Sequence, residues 1–391
     1  MPLIVQKYGG SSLASPRLIR KAAERIAAVK REGKDLVVVV SAMGRMTDML
    51  VRLAERTVAK PSEREMDMLL SAGERVSMSL LAMALQEMGV QAISFTGSQS
   101  GIVTTAEHTN ARIIDIRANR IREELARGKV VIIAGFQGVS ETKEVTTLGR
   151  GGSDTTAVAL AAELGAECCE ILTDVEGILT ADPRIVPNAQ LIEECSYDEA
   201  LELASRGAKL HSRSVEVAKR FNVPVKVAPS RDAQAPGTKI HEKPSKNVER
   251  ALVRGVATRD GLAHFRIRTG IAQARAVLQQ HQIFPRHVQM EHGECTWLVD
   301  ASSSAKLRAG LFEAGVAFEE HPKACLVSLV GESLTDAREV LGGFLETIEG
   351  SGAEVMAMST NSLSLCVAVD SAHKPALTRD LHRRFIENPA S

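Results

Sequence analysis

The sequence predicts an α/β chain: a largely parallel central sheet sandwiched by helices, followed by two ferredoxin-like units. Three observations predict it. Residues 1–230 alternate apolar, β-branched runs with amphipathic stretches, a rhythm that builds parallel sheets with helices on both faces. Leu36–Val40 is apolar throughout, as a strand buried on both faces must be. Beyond the turn-rich stretch Pro229–Ser245 the units shorten, and two β-α-β-β-α-β patterns fit what remains. The domain boundary is therefore placed near residue 245, with residues 1–245 and 246–391 as separate domains.

Leu3–Lys7 reads as the first strand. A helix follows over Pro16–Arg31: Ser15 can cap it, Pro16 suits its first turn and Gly33 lies past its end. Leu18, Ala22 and Ile26 fall on one face of it, with Ile19, Ala23 and Ala27 beside them. Further strands are expected at Ala92–Phe95, Val130–Ala134, Glu170–Thr173 and Val225–Ala228. Helices are expected at Glu74–Met88, Asp154–Leu164 and Ser196–Ser205. In the second domain the strands are Ala263–Arg268, Cys295–Val299, Cys325–Val330, Glu354–Met358 and Leu363–Val369. Its helices are Ala272–Gln280, Ala305–Glu313, Ala337–Ile348 and Lys374–Phe385.

Composition narrows the function. Lys plus Arg is 48 and Asp plus Glu is 48, so there is no net positive charge to attract a nucleic acid. One Trp and two Tyr leave little for stacking bases. Six cysteines, none in a Cys-x-x-Cys pair and most in apolar runs, read as reduced core residues of a cytoplasmic protein. No secretory segment is legible at the start, and no apolar run reaches the ~20 residues that span a bilayer.

Three motifs carry chemistry. Lys7-Tyr-Gly-Gly-Ser-Ser12 follows a strand. Gly9 and Gly10 allow close backbone approach to a ligand, successive N–H groups there can cradle an anion, and Ser11 adds a hydroxyl. Taken alone it reads first as a tight turn, and it is neither a P-loop nor a dinucleotide fingerprint. Thr147-Leu-Gly-Arg-Gly-Gly-Ser-Asp-Thr-Thr156 opens a helix. Ser153 and Asp154 are also plain helix caps, but capping does not explain Gly149, Arg150, Gly151 and Gly152 together. Arg150 offers a planar fork to a carboxylate. Thr173-Asp-Val-Glu-Gly-Ile-Leu-Thr-Ala-Asp-Pro-Arg184 lies past a buried strand, where ligands of open α/β sheets bind; a polar loop with a Pro turn fits as well. Smaller pieces are Ser41-Ala-Met-Gly44 with Thr47, Gly73-Glu74-Arg75, Gly135-Phe-Gln-Gly138 and Gly207-Ala-Lys209. No histidine cluster has metal-ligand spacing.

In their order along the chain, Lys7–Ser12, Ser41–Gly44, Gly73–Arg75, Gly135–Gly138, Gly149–Asp154 and Thr173–Arg184 resemble the motifs of the aspartate kinases of the amino-acid kinase superfamily, over roughly residues 2–240; residues 250–391 resemble that family's paired ACT regulatory domains. The resemblance implies an enzyme that moves a phosphoryl group from ATP to the β-carboxylate of aspartate, the first step toward lysine, threonine and methionine. It implies that Lys7 stabilises the transferring phosphoryl group and that Asp154 orients the reacting centre. Ser41, Thr47, Glu74, Arg150, Gly152 and Ser153 would hold aspartate, with Glu74 on its ammonium and Arg150 on its α-carboxylate. Lys7, Tyr8, Gly9, Gly10 and Ser11, with Thr173, Asp174, Leu179, Asp182, Arg184 and Lys209, would hold the nucleotide. Mg²⁺ would be carried on phosphates and water rather than in a protein cage, so no metal ligand is assigned. A carboxylate nucleophile is already ionised, so the work is positioning and charge neutralisation rather than base catalysis.

The chain departs from the family at three places. Leu179 replaces the usual aromatic residue, Gly207–Ser214 is one residue short, and Arg268-Thr-Gly-Ile-Ala272 stands where the first ACT unit usually has Asp-x-Pro-Gly. The last departure implies weakened feedback by lysine or threonine. ACT units pair through their sheets, which implies at least a homodimer. The competing readings are a glutamate, acetylglutamate, carbamate or uridylate kinase of the same superfamily, and a non-catalytic amino-acid-binding regulator. Glu74, Arg150 and the ACT-like tail oppose the first; intact Lys7, Arg150 and Asp154 oppose the second.

Overall fold

The structure, a computed structural model, describes residues 2–206, 210–242, 252–291 and 293–388. The chain forms two compact units. The first comprises Met1–Ile178, Leu191–Leu201 and Lys209–Pro244; the second comprises Leu179–Gln190, Glu202–Ala208 and Ser245–Ser391.

The first unit is built on an eight-stranded sheet. Its strands are β1 (Leu3–Tyr8), β2 (Asp35–Val40), β3 (Ala92–Phe95), β6 (Val130–Ala134), β9 (Cys168–Thr173), β10 (Glu194–Cys195), β11 (Val225–Pro229) and β12 (Thr238–Ile240). The order is β10-β12-β11-β9-β1-β2-β6-β3, and every pairing is parallel except β11 with β12. β2 lies between β1 and β6, and Leu36 through Val40 are fully buried. Each such side chain contributes about 1.5–3 kcal/mol of transfer free energy, which is why an unbroken apolar run takes this central place.

Helix α1 (Pro16–Arg31) starts where its cap requires: Ser15 Oγ accepts from the Leu18 amide at 3.3 Å, and Ile19, Ala22, Ala23, Ile26 and Ala27 turn inward. Helices α2 (Met46–Thr57), α3 (Glu63–Leu70), α4 (Ala72–Glu87), α5 (Asn119–Ala126), α6 (Gly152–Leu164), α7 (Tyr197–Arg206) and α8 (Ser212–Phe221) follow. Glu63–Glu87 is long and apolar enough by composition to cross a bilayer, but more than half of its most apolar 18 residues is buried, as in a core helix. Met78, Leu81, Ala82 and Leu85 of α4 pack into the same core as α1 and β2.

Beside the main sheet, β4 (Ile102–Thr104), β5 (Ile113–Ile116), β7 (Gln137–Ser140) and β8 (Val145–Thr147) form a four-stranded sheet in the order β5-β4-β7-β8. The sequence does not signal it, because strands of three or four residues are too short to display a period. Helix α6 also begins earlier than expected, at Gly152. Gly151 takes φ +71° and serves as N-cap, so Ser153 and Asp154 lie in the first turn and neither caps the helix through its side chain.

The second unit carries a six-stranded sheet, β14-β15-β13-β16-β18-β17. The strands are β13 (Leu252–Ile267), β14 (His287–Glu291), β15 (Glu294–Asp300), β16 (Phe318–Glu332), β17 (Ala357–Asn361) and β18 (Ser364–Asp370). Helices α9 (Ile271–Gln280) and α10 (Ala301–Glu313) cover one half around Phe265, Trp297 and Leu307. Helices α11 (Arg338–Gly350) and α12 (Lys374–His382) cover the other around Phe344, Val367 and Leu381. β13 and β16 run antiparallel through both halves, so Val256 at the start of β13 completes the core of the second motif while Phe265 serves the first.

Candidate active site

Parallel strands end together, and their carboxyl ends here are tied loop to loop. The Ser41 amide donates to Tyr8 O at 3.1 Å, the Gly135 amide to Val40 O at 3.0 Å, and the Gly9 amide to Leu172 O at 3.2 Å. The turns after β1, β2, β6 and β9 therefore form one rim. Gly10 meets the β2 turn so closely that a Cβ on it would lie 2.7 Å from Ala42 O, and its own carbonyl accepts from the Gly44 amide at 2.9 Å. Gly135 likewise abuts Ser153, whose Oγ would stand 2.9 Å from an added Cβ.

Onto this rim come two charged centres. Lys7 Nζ, near the end of β1, lies 2.7 Å from Asp154 Oδ1 in the first turn of α6. A helix N-terminus with a lysine in front of it favours anions. Glu74, in the first turn of α4, is only 3% exposed. Its Oε1 accepts from the Ala42 amide at 3.0 Å, while Oε2 is buried without a partner among the described residues. Burial raises its carboxyl to about 7, against the smaller opposing effect of backbone hydrogen bonds. A desolvated carboxylate with an open oxygen is a site for a cation.

Residues 2–229 match the Amino acid kinase family. The chain is 44% identical to the aspartokinase of Corynebacterium glutamicum over 98% of its own length and 96% of that protein's. The chain belongs to the aspartokinases of the amino acid kinase family. Its fold matches Escherichia coli aspartokinase III in complex with aspartate and ADP (R-state), with a TM-score of 0.83 at 27% identity over 97% of this chain and 99% of that one. The same enzyme in complex with lysine and aspartate (T-state) matches with a TM-score of 0.78 at 27% identity over 98% and 99%.

Of the residues expected in an aspartokinase site, the rim gathers Lys7, Gly9, Gly10, Ser41, Glu74, Ser153 and Asp154. Ser11 is exposed in the one-turn helix after Gly9, and Thr47 stands in the first turn of α2. Arg150 is exposed between Gly149 (φ +74°) and Gly151 (φ +71°), and Gly152 opens α6. Thr173 ends β9 and donates from Oγ1 to Asp174 Oδ1 at 3.1 Å. Tyr8 is fully buried, its hydroxyl 3.3 Å from Gln6 Oε1 and its acidity suppressed by burial, so its ring cannot meet a nucleotide and only its backbone borders the rim. Leu179, Asp182 and Arg184 belong to the second unit; there Arg184 is ion-paired to Asp182 at 2.6 Å, which lowers the Asp182 carboxyl. Lys209 lies outside the described residues.

Two residues absent from the sequence expectations border this site. The His211 ring packs against Gly151 so tightly that a Cβ there would lie 2.0 Å from its Cγ. Burial lowers the His211 pKa, with Asp154 acting in the opposite sense. Asp67, on α3, is completely buried. Neither stands in a pattern that a single sequence displays, since each matters through partners far along the chain.

Proposed function

We propose that the chain transfers the γ-phosphoryl group of ATP to the β-carboxylate of aspartate, yielding β-aspartyl phosphate and ADP. One observation carries this reading: the Lys7–Asp154 ion pair at the start of α6 shares a rim with the half-open, desolvated carboxylate of Glu74. The first suits transferring phosphate, and the second suits an α-ammonium. Gly9, Gly10 and Ser11 receive phosphate oxygens on backbone N–H groups and a hydroxyl. Glu74 takes the substrate ammonium and Arg150 its α-carboxylate, with Ser41, Thr47, Gly152 and Ser153 around them. Asp154 holds Lys7 extended toward the in-line position, where its charge offsets that developing on the phosphoryl group. Thr173 and Asp174 border the nucleotide.

The aspartate carboxylate is ionised at neutral pH and needs no general base. Among the described residues no group of three or more His, Cys, Asp or Glu is arranged to hold a metal ion. A Mg²⁺ arriving with the nucleotide would add positive charge between the two anionic reactants, and no protein residue is assigned to hold it.

Lysine, the ligand of the T-state relative, is assigned with threonine as an effector of the second unit, in weakened form. Arg268, in the turn before α9, is occupied by Glu319 at 3.0 Å and Glu294 at 3.6 Å rather than presenting an acidic loop. We further propose a cytoplasmic protein that forms a homodimer or larger assembly by pairing through the second sheet.

Initial rates of ADP release with aspartate, glutamate, acetylglutamate, carbamate and UMP, alongside hydroxylamine trapping of the acyl phosphate, test the proposal. Turnover with aspartate and formation of its hydroxamate are expected. Preference for another acceptor, or ADP release without a trapped hydroxamate, overturns it.

A further inference from the structure

We infer that Asp67 is a positioning residue that sets the spacing between Glu74 and Arg150, the two groups assigned to the substrate's ammonium and α-carboxylate; the inference rests on that assignment. Asp67 is fully buried on α3, and α4, which carries Glu74, starts directly beyond Ser71. The junction is held from the other side by Gln137, whose Nε2 donates to Ser71 O at 2.9 Å. A buried carboxylate is costly unless donors surround it, and Asp67 has three. Thr147 Oγ1 donates to Oδ1 at 2.5 Å, the Thr109 amide reaches both oxygens at 3.1 Å, and His108 Nδ1 lies 2.7 Å from Oδ2.

Those donors all belong to the support of the Arg150 turn. Thr147 is the last residue of β8, three positions before Arg150. Its carbonyl accepts from the Ala111 amide at 2.9 Å, which joins the 105–111 loop to the same strand end. Thr109 O and Asn110 Oδ1 press on Gly149, at 3.1 and 3.2 Å from where a Cβ would stand. Arg213 closes the arrangement by donating to Leu148 O at 2.8 Å and Ala111 O at 2.7 Å. One carboxylate thus links the helix leading to Glu74 with both strands of backbone under Arg150. Arg150 itself is exposed, so the reach of its side chain into the site starts from the backbone turn that this support holds.

The test uses the full chain with Asp67→Asn, Thr147→Val, which removes one donor at constant shape, and Arg150→Ala as the reference. KM for aspartate and for ATP, kcat and thermal midpoints are measured for each, with aspartate and with aspartate α-amide. Asp67→Asn and Thr147→Val are expected to raise KM for aspartate by about tenfold or more, as a displacement of about an ångström in a positioned group does. KM for ATP should stay unchanged. The penalty that the wild type imposes on the α-amide should shrink in both variants, because a displaced Arg150 no longer distinguishes the charge; a general loss of stability does not produce that pattern. If Arg150→Ala raises KM for aspartate while Thr147→Val and Asp67→Asn leave it unaltered, or if they raise both KM values together and keep the α-amide penalty, the positioning role is refuted and the assignment stands. If Arg150→Ala leaves KM for aspartate unaltered, the assignment itself falls, and the inference with it. Should Asp67→Asn not fold, Thr147→Val decides alone.

Discussion

Replacing Glu74 with Gln removes a charge while keeping the shape and the acceptor for the Ala42 amide. Burial holds this carboxyl at about 7 against an ordinary 4.5. At about 1.4 kcal/mol per tenfold, that difference corresponds to about 3 kcal/mol against its charged form in the free protein. Its folded pKa lies above its unfolded one, so the native state binds this proton more tightly. The penalty is absent below about pH 4.5, grows as pH rises, and is complete above about pH 7. Glu74→Gln should therefore raise the thermal midpoint at pH 8 by several degrees, at about 2–4 °C per kcal/mol for a domain of this size, and leave it unchanged near pH 4.5.

On the proposed assignment binding reverses the balance, because a substrate ammonium at Glu74 would select the charged carboxylate. With a pKa of about 7, about a tenth of Glu74 is ionised at pH 6 and about nine-tenths at pH 8. KM for aspartate should fall roughly tenfold between those values in the wild type. In Glu74→Gln it should be flat with pH and, at pH 8, higher by about thirtyfold or more, the equivalent of about 2 kcal/mol for a lost buried charge pair. Initial-rate kinetics at saturating ATP and calorimetric melts read both effects. A pH-independent KM in the wild type, or a variant with normal KM and unimproved stability at pH 8, would show that Glu74 does not receive the ammonium.

Lys7→Met should lower kcat by about 10²–10³ with little change in KM for aspartate if, as proposed, its charge acts on the transferring phosphoryl group; an undiminished kcat in a coupled ADP assay removes Lys7 from the mechanism. Gly151→Ala combines a positive φ with a Cβ 2.0 Å from the His211 ring, whereas Gly165→Ala also has a positive φ but meets nothing within 4 Å. The first should abolish activity and lower the melting temperature markedly; the second should cost about 1 kcal/mol and keep activity. Lysine and threonine, added together, should inhibit only at high concentration, and full inhibition at low concentration in a titration of rate refutes the weakened feedback. Val288 and Met290 are exposed on edge strand β14, so Met290→Glu should convert a dimer to a monomer in sedimentation velocity; a wild type that sediments as a monomer ends that proposal.

The sequence by itself determined the parallel βα core and the helix Pro16–Arg31, because burial on both faces and a capped amphipathic period are written in consecutive residues. It also marked the glycine turns around Lys7 and Arg150, since glycines bunched at the ends of elements signal backbone that must approach something closely. The small sheet of β4, β5, β7 and β8 escaped it, as did the start of α6 at Gly152: short strands carry no period, and a glycine N-cap depends on a φ that only the surrounding packing selects. Tertiary structure alone decided that the Tyr8 ring turns into the core, that one oxygen of Glu74 has no partner among the described residues, and that Asp67 gathers Thr147, Thr109 and His108. Each of these is a matter of desolvation and of donors supplied from elsewhere in the chain, and neither quantity exists until the elements have packed.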